Sequence, residues 1–363
     1  MNEKELRDFI ASIKKPSPAA EGEDFCFAAA YLDHGHIYGM TAGLAAAGGK
    51  LALVVDRDPE RGRALAEKYG AKYSPSFDDI FEDRRIRLVA SAAIPSERGP
   101  LGCDVMRRGL DYFTDKAPFT TLAQLEEAWQ VSRGTGRHYF VNYSERLGSE
   151  CALLAGYLIR AGMIGRVVNV IGTGPHRLNA ATRPAWFFER EKTGGILIDI
   201  GSHQAEQFLY YADCDEAKVV SSAVGNFSHS EYPGFDDFGD MRLAAANGAT
   251  GYHRVDWFTP DGLSTWGDGR CFIEGTEGFI ELRKFTDLTR GRGDRLFLVN
   301  GEGEFSVDAR GTTGFPFFSD LIRDSMEGTD RAMPAAHAFA AARLSLIAQR
   351  DAENLTSRNE HGA

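Results

Sequence analysis

From Phe25 onward, continuous apolar runs of strand length alternate with segments of helical pattern. The runs are FCFAAAYL, LALVVD, RLVASAA and DYFTD, and a helical segment follows each of them. Strands that are apolar throughout are buried on both faces, as in a parallel sheet whose crossover connections are helices. We therefore expect residues 25–147 to form an α/β domain of the Rossmann type, with a doubly wound parallel sheet.

The pattern changes after a helical segment near residues 150–162. Strand-like stretches such as VVNVIGT and RCFIEGTEGFIEL then follow one another, with glycine-containing turns and few helices between them. This predicts a C-terminal α+β domain over residues 148–316, with a large, mostly antiparallel, open-faced sheet. Residues 317–363 return to helical character, and we expect them to pack on the first domain. Residues 1–24 are predicted to form an N-terminal arm, because their one short helical pattern runs into the linker-like KKPSPAAEGED.

Length and charge exclude several classes of protein. A chain of 363 residues is longer than one hydrophobic core usually serves, which agrees with two domains. The net charge of −11 disfavours a nucleic-acid partner. No apolar run approaches the ~18 residues of a membrane span, and the charged start MNEKELRDFI does not resemble a secretory signal, so we expect a cytoplasmic protein with no membrane partner.

The turn AYLDHGHIYGM follows the first strand, where a dinucleotide-binding GxGxxG motif would lie. Asp33 and Tyr38 stand at the first and third glycine positions, and only the central Gly35 is kept. We expect the backbone N–H groups of Gly35, His36, Ile37 and Tyr38 to bind a pyrophosphate, with Asp33 turned away from it. An ordinary strand-to-helix turn is the alternative.

Asp56 ends the second strand, LALVVD, about 20 residues after that turn, where a carboxylate would accept hydrogen bonds from the ribose hydroxyls. A carboxylate there also repels a 2′-phosphate, so the sequence favours NAD as the cofactor, with NADP second. Arg57 weakens this preference, because it can stack on adenine or pair with a phosphate. A solvated acid in a turn is the structural alternative.

Two later segments resemble motifs of one known family. DYFTDKAPF, with Asp115, Lys116 and Pro118, resembles the Glu-Lys-Pro segment of the Gfo/Idh/MocA oxidoreductases, which include glucose–fructose oxidoreductase and inositol dehydrogenase. GGILIDIGSHQAEQFLYY, with Asp199 and His203, is similar to that family's Gly-Gly followed by Asp-x-x-x-His. The two motifs occur in the family's order.

With the late RCFIEGTEGFIEL hairpin, the resemblance extends from about Phe25 to Ile347. It implies an NAD(P)-dependent oxidoreductase that acts on the CH–OH group of a sugar, cyclitol or related polyol. Two other activities stay open: a glycosidase that uses bound NAD in a redox-elimination cycle, and a sugar sensor that binds a dinucleotide without turnover. The open-faced sheet, which the family commonly uses for subunit contact, implies a homodimer or homotetramer.

The chain departs from the family at the expected cofactor contacts. Ala117 separates Lys116 from Pro118, whereas the family's Lys and Pro are adjacent. Where the family has Thr-Pro-Asn-x-x-His beside the nicotinamide, this chain has AAIPSER. The cofactor contacts expected from these two segments are Ala93, Pro95, Arg98, Asp115 and Lys116.

The residues of the two motifs can each take one role in the oxidation of an alcohol. The resemblance implies that His203 is the base, that Lys116 donates to the substrate oxygen, and that Asp199 orients His203 or accepts from the substrate. If Asp199 and His203 lie in one helix, their i,i+4 spacing places them on one face. A core or capping histidine and a helix-capping aspartate are the structural alternatives.

The segment PHRLNAATRPAWFFEREKTGG precedes the second motif, where the family has a substrate loop. Arg177, Asn179, Arg183 and Trp186 can supply donors and a stacking face for a polyol. A loop folded on its own aromatic core is the alternative.

The pair His34 and His36 has metal-ligand spacing, but the sequence shows no carboxylate neighbour of known geometry. We therefore expect no metal site there.

Overall fold

The computed structural model describes residues 2–356 and divides the chain into two compact units. The parallel-sheet unit comprises residues 16–142 and 316–339. The mixed-sheet unit comprises residues 2–15, 143–315 and 340–356 of the described chain. Helices and strands are numbered along the chain.

The parallel-sheet unit contains six strands within residues 26–142, all paired in parallel. They are β1 (Cys26–Ala30), β2 (Lys50–Val55), β3 (Lys72–Ser74), β4 (Ile86–Ser91), β5 (Asp111–Asp115) and β6 (Tyr139–Asn142). Their spatial order, β3–β2–β1–β4–β5–β6, is that of a doubly wound nucleotide-binding sheet. Ligands of such sheets collect beyond the carboxyl ends of β1 and β4, where the strand order reverses.

Helices cover this sheet, and its central strand is buried along its whole length. Small side chains allow close packing. A Cβ on Gly43 would lie 2.4 Å from the ring of Phe318, so glycine is needed where the two helices that carry these residues meet. The helices are α2 (His36–Ala46), α3 (Pro59–Tyr69), α4 (Asp79–Glu82), α5 (Pro95–Arg107), α6 (Leu122–Thr135) and α12 (Phe317–Glu327).

The mixed-sheet unit contains nine strands within residues 167–354, in the order β14–β13–β12–β11–β7–β10–β9–β8–β15. They are β7 (Val167–Pro175), β8 (Ala217–Gly225), β9 (Phe238–Ala245), β10 (Thr250–Asp256), β11 (Arg270–Gly275), β12 (Gly278–Arg283), β13 (Arg295–Asn300), β14 (Gly303–Asp308) and β15 (Glu353–Asn354). Within this range β7 pairs with β10 and β8 with β15 in parallel, and the other ladders are antiparallel.

Alternate residues of these strands point to a buried face and to an open face. On the buried face, Val170 and Ile273 are fully covered. On the open face, Tyr252, Ile171 and Phe272 are neighbours in register across β10, β7 and β11. The helices of this unit are α1 (Glu3–Ser12), α7 (Ser144–Leu147), α8 (Glu150–Arg160), α9 (Arg190–Thr193), α10 (Ile196–Asp199), α11 (Gly201–Ala212) and α13 (Ala335–Asp351), whose first residues belong to the parallel-sheet unit.

The predicted fold class is therefore confirmed: a Rossmann-type parallel sheet and a separate, mostly antiparallel mixed sheet. The units differ from the predicted domain boundaries at both ends of the chain. Residues 2–15 of the expected arm group with the mixed-sheet unit. Of the tail 317–363, residues up to 339 group with the parallel-sheet unit, residues 340–356 group with the other unit, and 357–363 lie outside the described residues.

Within residues 2–356, every helix falls short of the length and apolar character needed to cross a bilayer.

Candidate functional site

The turn after β1 leads directly into the N-terminus of α2, with Gly35 at the cap position. Gly35 offers no side-chain cap, the N–H of His36 donates to His34 Nδ1 at 3.3 Å, and a Cβ on Gly35 would meet nothing within 4 Å. The N–H groups of Ile37 and Tyr38 make only long bonds, 3.2 and 3.3 Å, to carbonyls of the turn itself. A helix N-terminus whose N–H groups make only long bonds, below open space, can bind an anion through these groups.

Asp33 and Asp56 are joined by Arg61, which sequence reasoning missed. The Arg61 Nε and Nη2 atoms donate to the two carboxylate oxygens of Asp56, each at 2.7 Å, and Nη2 also donates to Asp33 at 3.1 Å. Asp56 is buried, and the backbone N–H of Leu32 donates to it as well. The hydrogen bonds that Arg61 donates to Asp56 outweigh the effect of burial and raise the pKa of Arg61. The carboxylate predicted to bind ribose therefore already carries a bidentate partner.

Arg61 lies five residues after Asp56, inside a helix that begins with the capping Asp58 and with Pro59. Asp58 followed by Pro59 is a local signal for the start of a helix, whereas no local signal gives the direction of the Arg61 side chain. Arg57, expected near adenine or a phosphate, lies 4.4 Å from the centre of the Tyr31 ring and pairs with Glu97 at 2.7 Å.

Arg98 ties the segment after β4 to the segment after β5. Its Nε donates to the Ala93 carbonyl at 2.6 Å, and its Nη1 donates to the carbonyls of Lys116 and, at 3.2 Å, Ala117. Its Nη2 lies 3.4 Å from Asp115 Oδ2. The guanidinium is buried and directed at these groups, so Arg98 holds the two segments in place. Pro95 is the first residue of the intervening helix α5.

Asp115, at the end of β5, faces both histidines of the first turn. His36 Nδ1 lies 2.9 Å from Asp115 Oδ1, and His34 Nδ1 lies 3.4 Å from Oδ2. Burial opposes ionisation of Asp115, but the charges of His36 and Arg98 outweigh it and hold its pKa below the ordinary value. Burial, reinforced by the charge of His36, lowers the pKa of His34.

Lys116 follows directly after β5 and is buried, and its peptide bond to Ala117 is cis. The bond between His36 and Asp115 connects the first turn of α2 to the residue before Lys116. The predicted anion-binding turn and the predicted lysine donor therefore share one edge of the parallel sheet.

In the mixed-sheet unit, Asp199 and His203 lie in two successive helices. Asp199 is the last residue of α10, and His203 is in the first turn of α11. The expected single helix is interrupted at Ile200: its N–H donates to the carbonyl of Ile196, whereas the N–H of His203 donates to Ile200 across a tighter turn. His203 is buried, with its ring 6.2 Å from that of Tyr143 in an edge-to-face arrangement.

A buried polar cluster lies below α11, and sequence reasoning missed it. Three donors reach Glu145 Oε2: Lys284 Nζ at 2.8 Å, Gln204 Nε2 at 2.9 Å and Gln207 Nε2 at 3.3 Å. The other oxygen, Oε1, lies 4.0 Å from Nε2 of His176. Glu145 and Lys284 are 139 residues apart in the chain, so no local pattern could indicate the pair.

Burial raises the pKa of Glu145, but the charges of Lys284, His203 and His176 outweigh it and lower the pKa to about 2. Glu145 is thus an ionised carboxylate within electrostatic reach of His203.

In the expected substrate loop, one side chain already has a hydrogen-bond partner in the protein and two others remain at least partly exposed. Nη2 of Arg177 donates to the backbone carbonyl of Pro260 at 3.0 Å. Asn179 is exposed, at a positive φ of 51°. Trp186 is half-buried beside Phe187, with 6.0 Å between ring centres.

Arg183 is the loop residue best placed near Asp199. Its guanidinium lies 4.4 Å from the Phe187 ring and 5.3 Å from the Trp257 ring. Burial lowers the pKa of Arg183, and the charge of Asp199 opposes this shift. Asp199, Phe187 and Trp257 also line one small cavity.

Two family models match the chain, one on each side of residue 150. Residues 28–143 match "Oxidoreductase family, NAD-binding Rossmann fold", and residues 153–281 match "GFO/IDH/MocA C-terminal domain". The chain belongs to the Gfo/Idh/MocA oxidoreductase family. The resemblance, the NAD-binding Rossmann domain and the assignment to NAD(P)-dependent oxidoreductases are thus confirmed at the level of the family.

The chain is similar to individual proteins both in structure and in sequence. The crystal structure of a candidate oxidoreductase from Erwinia carotovora atroseptica SCRI1043 is 44% identical, with a TM-score of 0.89 over 92% of this chain and 100% of that one. The 1,5-anhydro-D-fructose reductase of Ensifer adhaerens is 24% identical over 71% of this chain and 75% of its own length. The D-xylose dehydrogenase of Paenarthrobacter nicotinovorans is 26% identical over 42% of this chain, and the match spans 40% of that enzyme.

The residues present suit the pyrophosphate of NAD, and they limit the contacts that its adenosine ribose can make. The N-terminus of α2, where the N–H groups of His36, Ile37 and Tyr38 make only long bonds, and the open space above Gly35 suit a pyrophosphate. At the predicted ribose position, Asp56 must share its oxygens with Arg61. The individual site residues remain predictions.

Proposed function

We propose that this Gfo/Idh/MocA protein oxidises the CH–OH group of a sugar, cyclitol or related polyol to a carbonyl with NAD⁺, or reduces that carbonyl with NADH. The observation that carries the proposal is the 2.9 Å contact between His36 and Asp115. It connects the helix N-terminus that suits pyrophosphate to the residue before Lys116. A cationic donor at the dinucleotide edge of the sheet is what the reduction of a carbonyl or the oxidation of an alcohol requires.

The cofactor would be held by backbone N–H groups of Gly35, His36, Ile37 and Tyr38, with Asp56 and its partner Arg61 toward the adenosine ribose. NAD supplies the nicotinamide that accepts or returns a hydride. Ala93 and Pro95 would lie beside the nicotinamide, and Arg98 would fix the backbone around them.

We assign proton transfer to His203. When an imidazole takes a proton from an alcohol it becomes a cation, and the ionised Glu145 stabilises that cation electrostatically. Lys116 would donate to the substrate oxygen as negative charge develops on it. Asp199, with Arg183 beside it, would bind substrate hydroxyls.

The proposed substrate class rests on the family and its relatives. The two curated relatives are named for D-xylose and for 1,5-anhydro-D-fructose, both carbohydrates. Half-buried Trp186 offers an apolar face of the kind that suits a sugar ring.

The test begins with a panel of sugars and cyclitols screened for NAD⁺ reduction. Once a substrate is found, Lys116→Met should lower kcat far more than it lowers NAD affinity, because a donor to the developing oxyanion barely contacts the bound cofactor in the ground state. Lys72→Met is the matched control, since Lys72 is exposed at the start of β3 in the same unit. It should leave kcat unchanged.

His203→Ala should reduce kcat by roughly 10²–10⁴-fold, the usual contribution of a general base. In the unmodified protein the oxidation rate should rise with pH as the imidazole loses its proton, and the variant should lack this rise. Near-native kcat in both the Lys116 and His203 variants would refute the assigned roles. Sugar release without net NADH would indicate the redox-elimination glycosidase, and cofactor binding without turnover on any panel substrate would indicate the sensor.

We also propose that the open face of the mixed sheet joins copies of the chain into a dimer or tetramer. Ile171 and Tyr252 on this face are 42% and 43% exposed, and Phe272 lies beside Ile171 in register. Apolar rows of this kind usually mark a protein interface. Light scattering of Ile171→Asp should show smaller particles than the unmodified protein, and a monomeric unmodified protein would contradict the proposal.

A further inference from the structure

Three side chains with metal-binding atoms converge at the carboxyl edge of the parallel sheet. His34 and His36 come from the turn after β1, and Asp115 comes from the end of β5, 79 residues after His36. Among the described residues, they form a group in which the candidate ligand atoms all lie within 4.8 Å of one another. The fold thus supplies the carboxylate neighbour that the sequence around the two histidines does not show.

One oxygen of this carboxylate is buried without a hydrogen-bond partner in the described structure, namely Asp115 Oδ2. Its nearest cationic or imidazole nitrogens, Arg98 Nη2 and His34 Nδ1, are both 3.4 Å away. That separation is longer than a good hydrogen bond to a carboxylate. A buried acceptor left in this state is costly, and native proteins usually satisfy it with a further partner.

The histidine next to this oxygen presents a lone pair. Nδ1 of His34 accepts the backbone N–H of His36 at 3.3 Å, and in the tautomer that this bond requires, Nδ1 carries no proton. A lone pair and an ionised oxygen therefore face each other at 3.4 Å with no proton between them. A cation between the two atoms would replace this repulsion with attraction.

We propose that His34, His36 and Asp115 bind one divalent transition-metal ion, with Zn²⁺ as the reference ion. Two imidazoles and one carboxylate are a common donor set for such ions, with the remaining position left to water. Ligand atoms about 2.05 Å from a tetrahedral Zn²⁺ stand about 3.4 Å apart. The separations of 2.9 and 3.4 Å between the imidazole nitrogens and the Asp115 oxygens approach this geometry.

Arg98 supports the carboxylate from outside the donor set. Its bonds to the carbonyls of Ala93, Lys116 and Ala117 hold the guanidinium in place, so it fixes the orientation of Asp115 as outer partners of metal ligands do. Its positive charge also weakens the attraction for a cation. We therefore expect a micromolar site rather than the tighter binding of a structural zinc site.

The direct test is calorimetric titration of EDTA-treated, cofactor-free protein with Zn²⁺, together with the absorption spectrum of the Co²⁺ form. We expect one ion per chain and a tetrahedral Co²⁺ spectrum without the charge-transfer band of a thiolate ligand. His36→Ala, His34→Ala and Asp115→Asn should each weaken binding at least tenfold. His36 is 38% exposed, so its variant should fold, and a thermal melt checks this.

His138→Ala is the matched control. His138 lies 3.5 Å from Asp111 in the same unit and thus forms a histidine–aspartate pair outside the His34–His36–Asp115 group. This variant should bind Zn²⁺ like the unmodified protein. Absence of stoichiometric binding, unchanged affinity in the folded His36→Ala variant, or an equal loss in His138→Ala would overturn the proposal. NADH binding, followed separately by fluorescence on metal-free protein, tests the proposed function independently.

Discussion

The buried, ionised carboxylates of Glu145, in the mixed-sheet unit, and Asp115, in the parallel-sheet unit, have neighbours that differ in kind. Oε2 of Glu145 accepts hydrogen bonds from groups that only donate, the ammonium of Lys284 and the amide nitrogens of two glutamines, and the nearest imidazole nitrogen, His176 Nε2, lies 4.0 Å from Oε1. Asp115 faces two imidazoles, which can donate a proton or offer a lone pair, and one guanidinium.

The difference teaches what a buried charge can do. A carboxylate enclosed by fixed donors stabilises one arrangement and an adjacent cation, as Glu145 does for the α11 region. A carboxylate among imidazoles can change its partner, because an imidazole changes its proton or binds a metal. The following predictions test this contrast.

The largest effect should follow loss of the Glu145 carboxylate, whose main partner is the Lys284 ammonium. Glu145→Leu leaves the buried Lys284 ammonium without its charge partner, and we expect the free energy of unfolding to fall by about 3–5 kcal/mol in urea titrations. Glu145→Leu combined with Lys284→Met should lose less than the sum of the two single variants. Glu281→Gln is the control, since its pair with Arg283 is partly exposed and should contribute at most about 1 kcal/mol. If the free energy of unfolding of Glu145→Leu falls by less than about 1 kcal/mol, Glu145 is not the stabilising partner that its contacts indicate.

The equivalent change in the imidazole cluster should cost less. Asp115→Asn in metal-free protein removes the charge beside Arg98, but the guanidinium keeps its backbone carbonyl acceptors. We expect a loss of about 1–3 kcal/mol by the same urea titrations. If Asp115→Asn costs as much as Glu145→Leu, the two clusters are equally dependent on their carboxylates.

A third prediction concerns Asp56, another buried carboxylate of the parallel-sheet unit. Arg61→Ala frees both oxygens of Asp56 for ribose hydroxyls and removes a cation that would attract a 2′-phosphate. The preference for NAD over NADP should therefore increase about tenfold, or about 1.4 kcal/mol, in fluorescence titrations with the reduced cofactors. Asp56→Ala should move the preference the opposite way. Arg63→Ala is the control, because Arg63 lies over the Tyr73 ring in the same helix. An unchanged preference in Arg61→Ala would place the ribose away from this pair.

The smallest effect at neutral pH is expected at His253, which lies buried near Lys284. Both of its ring nitrogens lack a hydrogen-bond partner within residues 2–356, and burial, helped by Lys284, lowers its pKa from 6.5 to about 3. Between these values the unfolded chain binds a proton that the folded chain does not, so the free energy of unfolding should fall as the pH drops from about 6.5 toward 3. Glu145, with its pKa lowered from 4.5 to about 2, adds a second decrease between those values.

His253→Leu should remove the first decrease and leave the free energy of unfolding at pH 7 within about 1 kcal/mol, since it replaces an unsatisfied polar group by an apolar one. Urea titrations from pH 7 to pH 4 measure this. His138→Gln is a control of opposite sign. The Asp111 carboxylate, 3.5 Å from His138 Nδ1, raises the pKa of His138, so the stabilisation from this histidine is present at low pH and lost as the pH rises through that pKa. An unchanged acid slope in His253→Leu would assign the slope to other groups.

Local pattern was enough to predict the layout of the parallel-sheet unit. The uninterrupted runs around Phe27, Val54 and Val89 became buried parallel strands, because a strand covered on both faces must be apolar throughout. The segment DYFTD became β5 and placed Lys116 at its carboxyl end. Family motifs then identified Asp199 and His203 as candidates, although the break at Ile200 between their helices has no obvious local signal.

The sequence by itself therefore determined the strands, most helices, the family and the candidate residues, since these depend on neighbours within a few positions. Only the tertiary structure decided which charges meet. Arg61 turns back to Asp33 and Asp56, Asp115 reaches the histidines from 79 residues away, and Lys284 pairs with Glu145 from 139 residues away. The physical reason is that a buried charge must find a partner wherever the packed chain supplies one, and chain distance plays no part in that choice.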